Sequence, residues 1–289
     1  MPLVTVKELL TPQPQGWAIG AFNVHNLEDV QAVVWAAEAL KAPVILQASQ
    51  SALTHADPAY ISGIVHAAAK LTDLPIALQL DHGRSYALAL DCMRKGFTSV
   101  MIDGSALPYE ENVALTRRVV EAARHYGVSV EGELGIVGGK EDDISVREDQ
   151  AVLTDPEQAR DFIERTGIDI FAPAIGTAHG LYKGTPRIDF DRLQAIRSQV
   201  DVPLVLHGGS DLPESVIKRV IALGVTKINV GTDLKYAITD GIKEFIKANP
   251  EEFEPRKVFG AARAKGQQLV TEKIKLFGSE GKAQIIAAS

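Results

Sequence analysis

The stretch VPLVLHGGSDLPESVIKRVIALGVTKINVGTDL (Val202–Leu234) reads as one complete strand–helix–strand unit. Pro203–Leu206 and Val225–Val230 are short and apolar nearly throughout, as expected of parallel strands covered on both faces. Between them Val216, Ile217, Val220 and Leu223 recur at helical spacing, after Pro213 and before a terminating Gly224. Working outward, six further runs have the same character: Trp17–Val24, Pro43–Ser49, Pro75–Asp81, Ser99–Asp103, Val128–Leu134 and Asp169–Gly176. Helical patterns separate them. Leu27, Val30, Val34 and Ala37 follow Asn26 as N-cap, and helices suit Tyr60–Leu71, Tyr86–Lys95, Glu110–Tyr126, Glu157–Thr166, Phe190–Ser198 and Leu234–Ala248. Eight strand-then-helix units predict an α/β fold, a (β/α)8 TIM barrel. A doubly wound open sheet is the alternative, but no Gly-x-Gly-x-x-Gly turn follows the first strand to suit a dinucleotide.

The 289 residues, 46% hydrophobic and 23% charged, supply ample core for one such barrel. No low-complexity tract or Gly/Ser linker marks a boundary, so residues 1–289 read as a single domain. From about residue 250 to 289 a helical C-terminal extension is expected to cap the barrel or contact a neighbouring subunit. Thirty Lys plus Arg against 37 Asp plus Glu give a net charge of -7 without a basic block, which argues against nucleic acid as partner. MPLVTVKELL lacks the charged-then-apolar pattern of a signal peptide, and no continuous apolar run is long enough to span a membrane. The single cysteine, Cys92, excludes an intrachain disulfide and a multi-cysteine metal site, and a reducing, cytoplasmic setting follows. Any metal must rest on His, Asp or Glu.

In a barrel of this kind catalytic groups sit where the strands end. The ends here are polar: Asn23, then Gln47 and Ser49, Asp81-His82-Gly83, Asp103, Glu133, His179-Gly180, His207-Gly208-Gly209-Ser210, and Asn229-Val230-Gly231-Thr232. A single histidine after a strand is usually a hydrogen-bonded structural residue. Three of the seven histidines at strand ends, each followed at once by glycine, instead suggest a three-histidine Zn²⁺ site with an open position. His25, His55, His66 and His125 read as structural or surface residues. The glycine-rich ends of strands seven and eight lie where barrels bind phosphate through backbone N–H groups, unless they are ordinary turns with Thr232 as a plain N-cap. The irregular stretch Gly135–Leu153, with Gly138, Gly139 and the acidic Glu141-Asp142-Asp143, suits a mobile loop over the site.

At this point the sequence resembles the class II, metal-dependent ketose-bisphosphate aldolases, the fructose- and tagatose-bisphosphate group. The matching stretches run along essentially the whole chain. They include AFNVHNLE (Ala21–Glu28), QLDHG (Gln79–Gly83), SVMIDGS (Ser99–Ser105), VSVEGELG (Val128–Gly135), GGKEDD (Gly138–Asp143), TGIDIFAPAIGTAHGLYKG (Thr166–Gly184), PLVLHGGSDLP (Pro203–Pro213), TKINVGTDL (Thr226–Leu234), EPRK (Glu254–Lys257) and LFGSEGKA (Leu276–Ala283).

The resemblance implies a lyase that cleaves a ketose 1-phosphate to dihydroxyacetone phosphate and an aldehyde. His82, His179 and His207 would hold the zinc, and Asp81 would be the acid/base on the C4 hydroxyl. Asp103 and Glu133 match positions that hold a second divalent metal or monovalent cation or orient the zinc ligands. Gly180, Gly208, Gly209, Ser210, Asn229, Val230, Gly231 and Thr232 match the part that grips dihydroxyacetone phosphate, with Asn23 and Ser49 as further substrate contacts. Glu141 matches a glutamate that moves a proton at C3. Arg256 matches an arginine that reaches a neighbour's site, which implies a homo-oligomer, dimer or tetramer. Departures bear on specificity: Gly231 replaces the Asp, Asn or Ala of relatives, Asp211 stands where Gly is usual, Arg84 follows QLDHG, and Gln47–Ser51 (QASQS) matches neither subgroup. The same chemistry on a 6-sulfo or inositol-derived ketose phosphate is an alternative. So are a Schiff-base aldolase using Lys227, and a non-catalytic phosphosugar-binding barrel.

Overall fold

Thr5 opens the first ordered element with a capping box: its hydroxyl accepts from Glu8 N–H while the Glu8 carboxylate accepts from Thr5 N–H. The computed structural model of the chain describes residues 3–11, 15–141, 144–147, 150–182, 184 and 186–287. In chain order the elements are α1 (Val6–Leu9), β1 (Ile19–Asn23), α2 (Leu27–Leu40), β2 (Val44–Ser49), α3 (Gln50–Ala56), α4 (Pro58–Ala69), β3 (Ile76–Gly83), α5 (Tyr86–Arg94), β4 (Ser99–Ile102), α6 (Tyr109–Tyr126) and β5 (Ser129–Leu134). There follow β6 (Gly138–Glu141), β7 (Ile144–Val146), α7 (Pro156–Thr166), β8 (Ile170–Pro173), β9 (Ala178–His179), α8 (Phe190–Arg197), β10 (Leu204–Leu206), α9 (Glu214–Ala222), β11 (Val225–Val230), α10 (Thr232–Ala248), α11 (Pro255–Phe277) and α12 (Ala283–Ala287).

Eight parallel strands close in the order β1-β11-β10-β8-β5-β4-β3-β2. The fold is the (β/α)8 barrel expected from the sequence, with each run found at or within a few residues of its expected bounds. Register pairs such as Ile19 with Lys227 and Ala21 with Ile45 join the first strand to both neighbours. Alternate residues of each strand face inward. At the lower end these are Ile19, Ala21, Ile45, Ala77, Ile170, Ala172 and Val205, which form a buried cluster with Val6, Leu9, Leu10 and Trp17. Helix α1 therefore plugs the bottom of the barrel, a role that the reading of MPLVTVKELL as merely lacking a signal did not foresee. The outward residues pack against the helical ring, with Phe22, Phe97, Phe162, Phe171 and Phe277 fully buried there.

One further part departs from the expected pattern, while the C-terminal helix packs on the barrel, one of its two expected roles. The segment from residue 135 to 153 is not simply irregular: β6 pairs antiparallel with β7 and parallel with β9, giving a three-stranded sheet beside the barrel mouth. Gly139 makes this possible, because a Cβ there would collide with the His179 backbone. Asp142 and Asp143 lie outside the described residues. Helix α11 buries Val270, Ile274 and Phe277 against the barrel, and the Phe277 carbonyl accepts from Ala18 N–H at the start of β1. Among the described residues no helix is long and apolar enough to cross a membrane.

Candidate active site

Above the apolar layer the inward positions turn polar. Each strand continues its two-residue alternation, so Gln47 and Ser49 on β2, Gln79 and Asp81 on β3, Glu131 and Glu133 on β5, and Lys227 and Asn229 on β11 all point into the barrel mouth, and all are buried. Adjacent residues should then face opposite ways, yet both Asp81 and His82 contribute to the site. The register of β3 against β4 shifts between Leu80 and Gly83, and His82 takes a φ of 46°, in the left-handed region that a side chain rarely adopts. This irregularity turns two consecutive side chains to one cavity. Gly83 completes the turn, with no room for a Cβ between Leu80 and the Met101 carbonyl.

Three histidines meet there. His82, His179 and His207 each offer a ring nitrogen within 4.8 Å of the others. Nε2 of His82 and Nδ1 of His207 face each other at 2.9 Å. Their outer nitrogens are anchored by carboxylates: His82 Nδ1 lies 2.9 Å from Asp103 Oδ2, and His207 Nε2 lies 2.8 Å from Glu131 Oε1. Burial pushes Asp103 up, but the hydrogen bond and charge of His82 outweigh it and hold this carboxyl well below its usual range. Burial likewise opposes ionisation of Glu131, and the Lys227 charge with the His207 hydrogen bond reverses it. Burial lowers His207, which keeps its ring neutral and able to donate an electron pair.

Glu133 behaves differently. It is buried, its Oε2 has no hydrogen-bond partner, and that atom lies 3.6 Å from His207 Nδ1. Burial, then the Asp103 charge, pushes its carboxyl well up. An orphaned carboxylate oxygen beside two converging imidazole nitrogens is a donor set that fits a divalent cation. His82, Asp103 and Glu133 form a second such group sharing His82. Nitrogen-rich ligands backed by carboxylates, as here, are characteristic of zinc sites.

Asp81 lies beside this cluster, held by three amides. Asn23 Nδ2 donates to its Oδ2 at 2.8 Å, Gln47 Nε2 to the same atom at 3.2 Å, and Asn229 Nδ2 to its Oδ1 at 3.3 Å. The network continues beneath the histidines, where Gln79 Nε2 and Lys227 Nζ both donate to Glu131 Oε2 at 2.8 Å. Gln79 and Glu131 were not expected as site residues from the sequence, and Lys227 was expected only as the amine of a Schiff-base alternative, because all three lie short of the strand ends. Their positions two residues before Asp81, Glu133 and Asn229 were the available signal. Lys227, tied to Glu131 and Asn229, is an ion-pair partner rather than a free amine, which argues against Schiff-base chemistry.

At the same mouth β10 and β11 end in the two glycine-rich turns. Gly208 has a φ of 65° and no room for a Cβ beside the Ala178 carbonyl, so the two loops interlock backbone to backbone. Tyr182, another residue not foreseen, pins them. Its hydroxyl accepts from Ala178 N–H at 2.9 Å and donates to the Gly208 carbonyl at 3.0 Å. The N-cap of α10 is Gly231, not Thr232, and it supplies no side-chain cap. In the first turn of this 17-residue helix Asp233 N–H donates to Ser210 Oγ at 3.2 Å, which ties the helix start to the turn after β10, and the helix N-terminus is of the kind that suits an anion. Asp211, in the left-handed region with φ 57°, accepts from Tyr182 N–H, which explains how a residue other than glycine is accommodated. Ser49 caps α3 through Ala52 N–H at the rim.

The remaining expected residues are more distant or only partly described. Glu141 ends β6, two residues beyond the Gly139–His179 pair. Arg256, near the start of α11, is exposed and paired with Glu254, and among the described residues it makes no contact with the cluster. His25 bonds Asp29 and His66 faces the Gly96 carbonyl, as structural residues do.

A parallel barrel with a metal-type histidine cluster, a buried carboxyl and a helix N-terminus at one mouth has the layout of a metal-assisted barrel enzyme. The model of the family "Fructose-bisphosphate aldolase class-II" matches residues 4–282, and the chain belongs to that family. It is an aldolase, a carbon–carbon lyase. The chain is 47% identical over 273 residues to the D-tagatose-1,6-bisphosphate aldolase subunit GatY of Klebsiella oxytoca, covering 94% of this chain and 96% of that one. It is 42% identical to a sulfofructosephosphate aldolase of Alkalicoccus urumqiensis, over 93% and 94% of the two chains. The crystal structure of the YdjI aldolase from Escherichia coli K12 superposes with a TM-score of 0.84 at 34% identity, covering 97% and 99%.

Proposed function

We propose that the protein reversibly cleaves a ketose 1-phosphate of the tagatose- or fructose-1,6-bisphosphate type to dihydroxyacetone phosphate and an aldehyde, with zinc as its metal. The observation that carries this reading is the continuous network joining Asp81, through Asn229 and Lys227, to Glu131 and His207. Its continuity supports reading Asp81 as the acid/base that works beside a metal held by the histidines.

In this reading His82, His179 and His207 hold the zinc, with Asp103 and Glu131 orienting two of them. Glu133 and Asp103 serve a second divalent or monovalent cation when one binds. A bound zinc supplies Lewis-acid stabilisation of the negative charge that builds on the substrate oxygens as the C3–C4 bond breaks. Asp81 takes the proton from the C4 hydroxyl, and its three amide partners keep its lone pair aimed at that hydroxyl. Gly180, Gly208, Gly209, Ser210 and the residues Asn229, Val230, Gly231 and Thr232 hold the phosphate by backbone N–H groups and the α10 terminus. Asn23 and Ser49 line the approach. Glu141, on the sheet that packs against His179, returns the proton to C3. Arg256 reaches the site of a second copy in a homo-oligomer, consistent with its exposure here. A cytoplasmic setting is supported by the single, buried, unpaired thiol of Cys92.

The likeness to a sulfofructosephosphate aldolase favours a second substrate reading, a sulfonated ketose phosphate. The test incubates the zinc-loaded protein with dihydroxyacetone phosphate and glyceraldehyde 3-phosphate, sulfolactaldehyde or malonate semialdehyde. Comparison of kcat/KM and of product stereochemistry separates the readings. Absence of condensation with every aldehyde overturns the proposal.

A further inference from the structure

The aldolase reading fixes where one end of the substrate sits, and the barrel order then locates the other. The phosphate-type loops follow β10 and β11. In the closed order β1-β11-β10-β8-β5-β4-β3-β2, the strands diametrically across from these are β3 and β4. A ketose gripped at its 1-phosphate beside β10 and β11, with its reacting carbons at the central histidines, extends its far end over the loops that follow β3 and β4.

Those loops line one side of a cavity of about 220 Å³ that His82 and His179 also line, with Arg84, Asp103, Ser105 and Leu107 on that side and the segment from Ile136 to Val146 on another; Arg84 and Leu107 are its exposed members from the two loops. Arg84 immediately follows β3. It is exposed, its backbone N–H donates to Gln50 Oε1 at 3.4 Å, and among the described residues its guanidinium makes no ion pair. The nearby Asp103 is already engaged by His82 and Ser105. Arg117, Arg165 and Arg256 are neutralised by carboxylates on the surface, and what sets Arg84 apart from the other exposed arginines is that it lines the cavity beside the histidine cluster. An unpaired fork-shaped cation at the outer wall of an active-site cavity is equipped to bind an oxyanion through two parallel N–H donors. In a protein of net charge -7, it also supplies local positive charge where an anion must enter.

We propose that Arg84 is a specificity-determining residue, which binds an oxyanion (phosphate, sulfonate or carboxylate) on the terminal carbon of the ketose and thereby selects a charged aldehyde. This rests on the aldolase reading above. It adds that selection of the charged end is built into the chain's own β3 loop and does not depend solely on an arginine from another subunit.

The test compares wild type, Arg84→Met and Arg84→Lys as zinc-loaded full-length proteins. Condensation with dihydroxyacetone phosphate is measured for neutral glyceraldehyde, glyceraldehyde 3-phosphate, sulfolactaldehyde and malonate semialdehyde, and zinc affinity is measured separately by competition with a chelating dye. For the best charged aldehyde, the kcat/KM ratio over neutral glyceraldehyde falls at least tenfold in Arg84→Met and recovers in part in Arg84→Lys. Which anion shows the largest fall identifies the terminal group. A ratio unchanged by Arg84→Met overturns the proposal while leaving the aldolase reading intact. Loss of zinc affinity together with the ratio overturns it too, because Arg84 then supports the metal site instead. Failure of wild type to condense any aldehyde overturns both readings.

Discussion

Lys227 Nζ and Glu131 Oε2 lie 2.8 Å apart with both side chains fully buried. The same ammonium donates to Asn229 Oδ1 at 2.8 Å. One interior cation thus braces the carboxylate behind His207 and the amide in front of Asp81. Removing it leaves Glu131 as an uncompensated buried charge. Lys227→Met is expected to destabilise the fold by about 3–5 kcal/mol. The double variant Lys227→Met/Glu131→Met should lose less than the single one, because the orphaned charge is gone. Urea unfolding of both variants checks the order.

Asp81→Asn keeps a side chain of the same shape but removes the proton acceptor. The expected result is a fall in kcat of about 10²–10⁴ with zinc content unchanged. Single-turnover cleavage alongside metal analysis measures both, and near-normal turnover removes Asp81 from the mechanism.

Chelation by EDTA should abolish activity and added zinc should restore it, while borohydride with substrate should trap no adduct on Lys227. Glu131→Gln tests the carboxylate behind His207 directly. Loss of such a partner is expected to weaken zinc about 10–100-fold. Titration against a competing chelator provides the readout.

Stability should also decline on the alkaline side. Burial pushes the Cys92 thiol from its ordinary 9.0 up to about 12. A group raised in the folded state favours folding fully at pH values below its unfolded pKa, and that contribution disappears as pH climbs through the folded value. The Cys92 share is therefore present below about pH 9 and lost between about 9 and 12. Burial raises Tyr182 in the same sense, to about 12. Cys92→Ala should flatten the fall in urea midpoint over this range without abolishing it, since Tyr182 remains.

The strands were legible in the sequence because burial on both faces makes them apolar nearly throughout, and Val225–Val230 appears with the bounds expected. That the three histidines, Asp81, Asp103 and Glu133 meet at one mouth was legible because residues at the ends of parallel barrel strands share that mouth. Lys227 and Glu131 were harder to place. A buried ion pair between residues 96 apart in sequence leaves no local pattern, and only the two-residue alternation of each strand places them on the inner wall. Tyr182 depends on two loops meeting, which no spacing encodes. Helix α1 is only four residues long, too short for a helical period to show, although Thr5 and Glu8 carry the capping-box pattern.

Closure of the barrel imposes a schedule on synthesis. Strand β1 is made well before β11 and α11, yet one of its two edges pairs with β11 and its lower end is bonded by the Phe277 carbonyl of α11. At roughly 5–20 residues per second, a ribosome leaves that edge unpaired for on the order of ten seconds or more. Throughout that interval the nascent chain presents an apolar strand, Ile19–Asn23, with open backbone donors and acceptors, the kind of surface that recruits other unfinished chains. The yield of active protein should therefore depend on translation speed and on chaperones that shield β1 until β11 arrives.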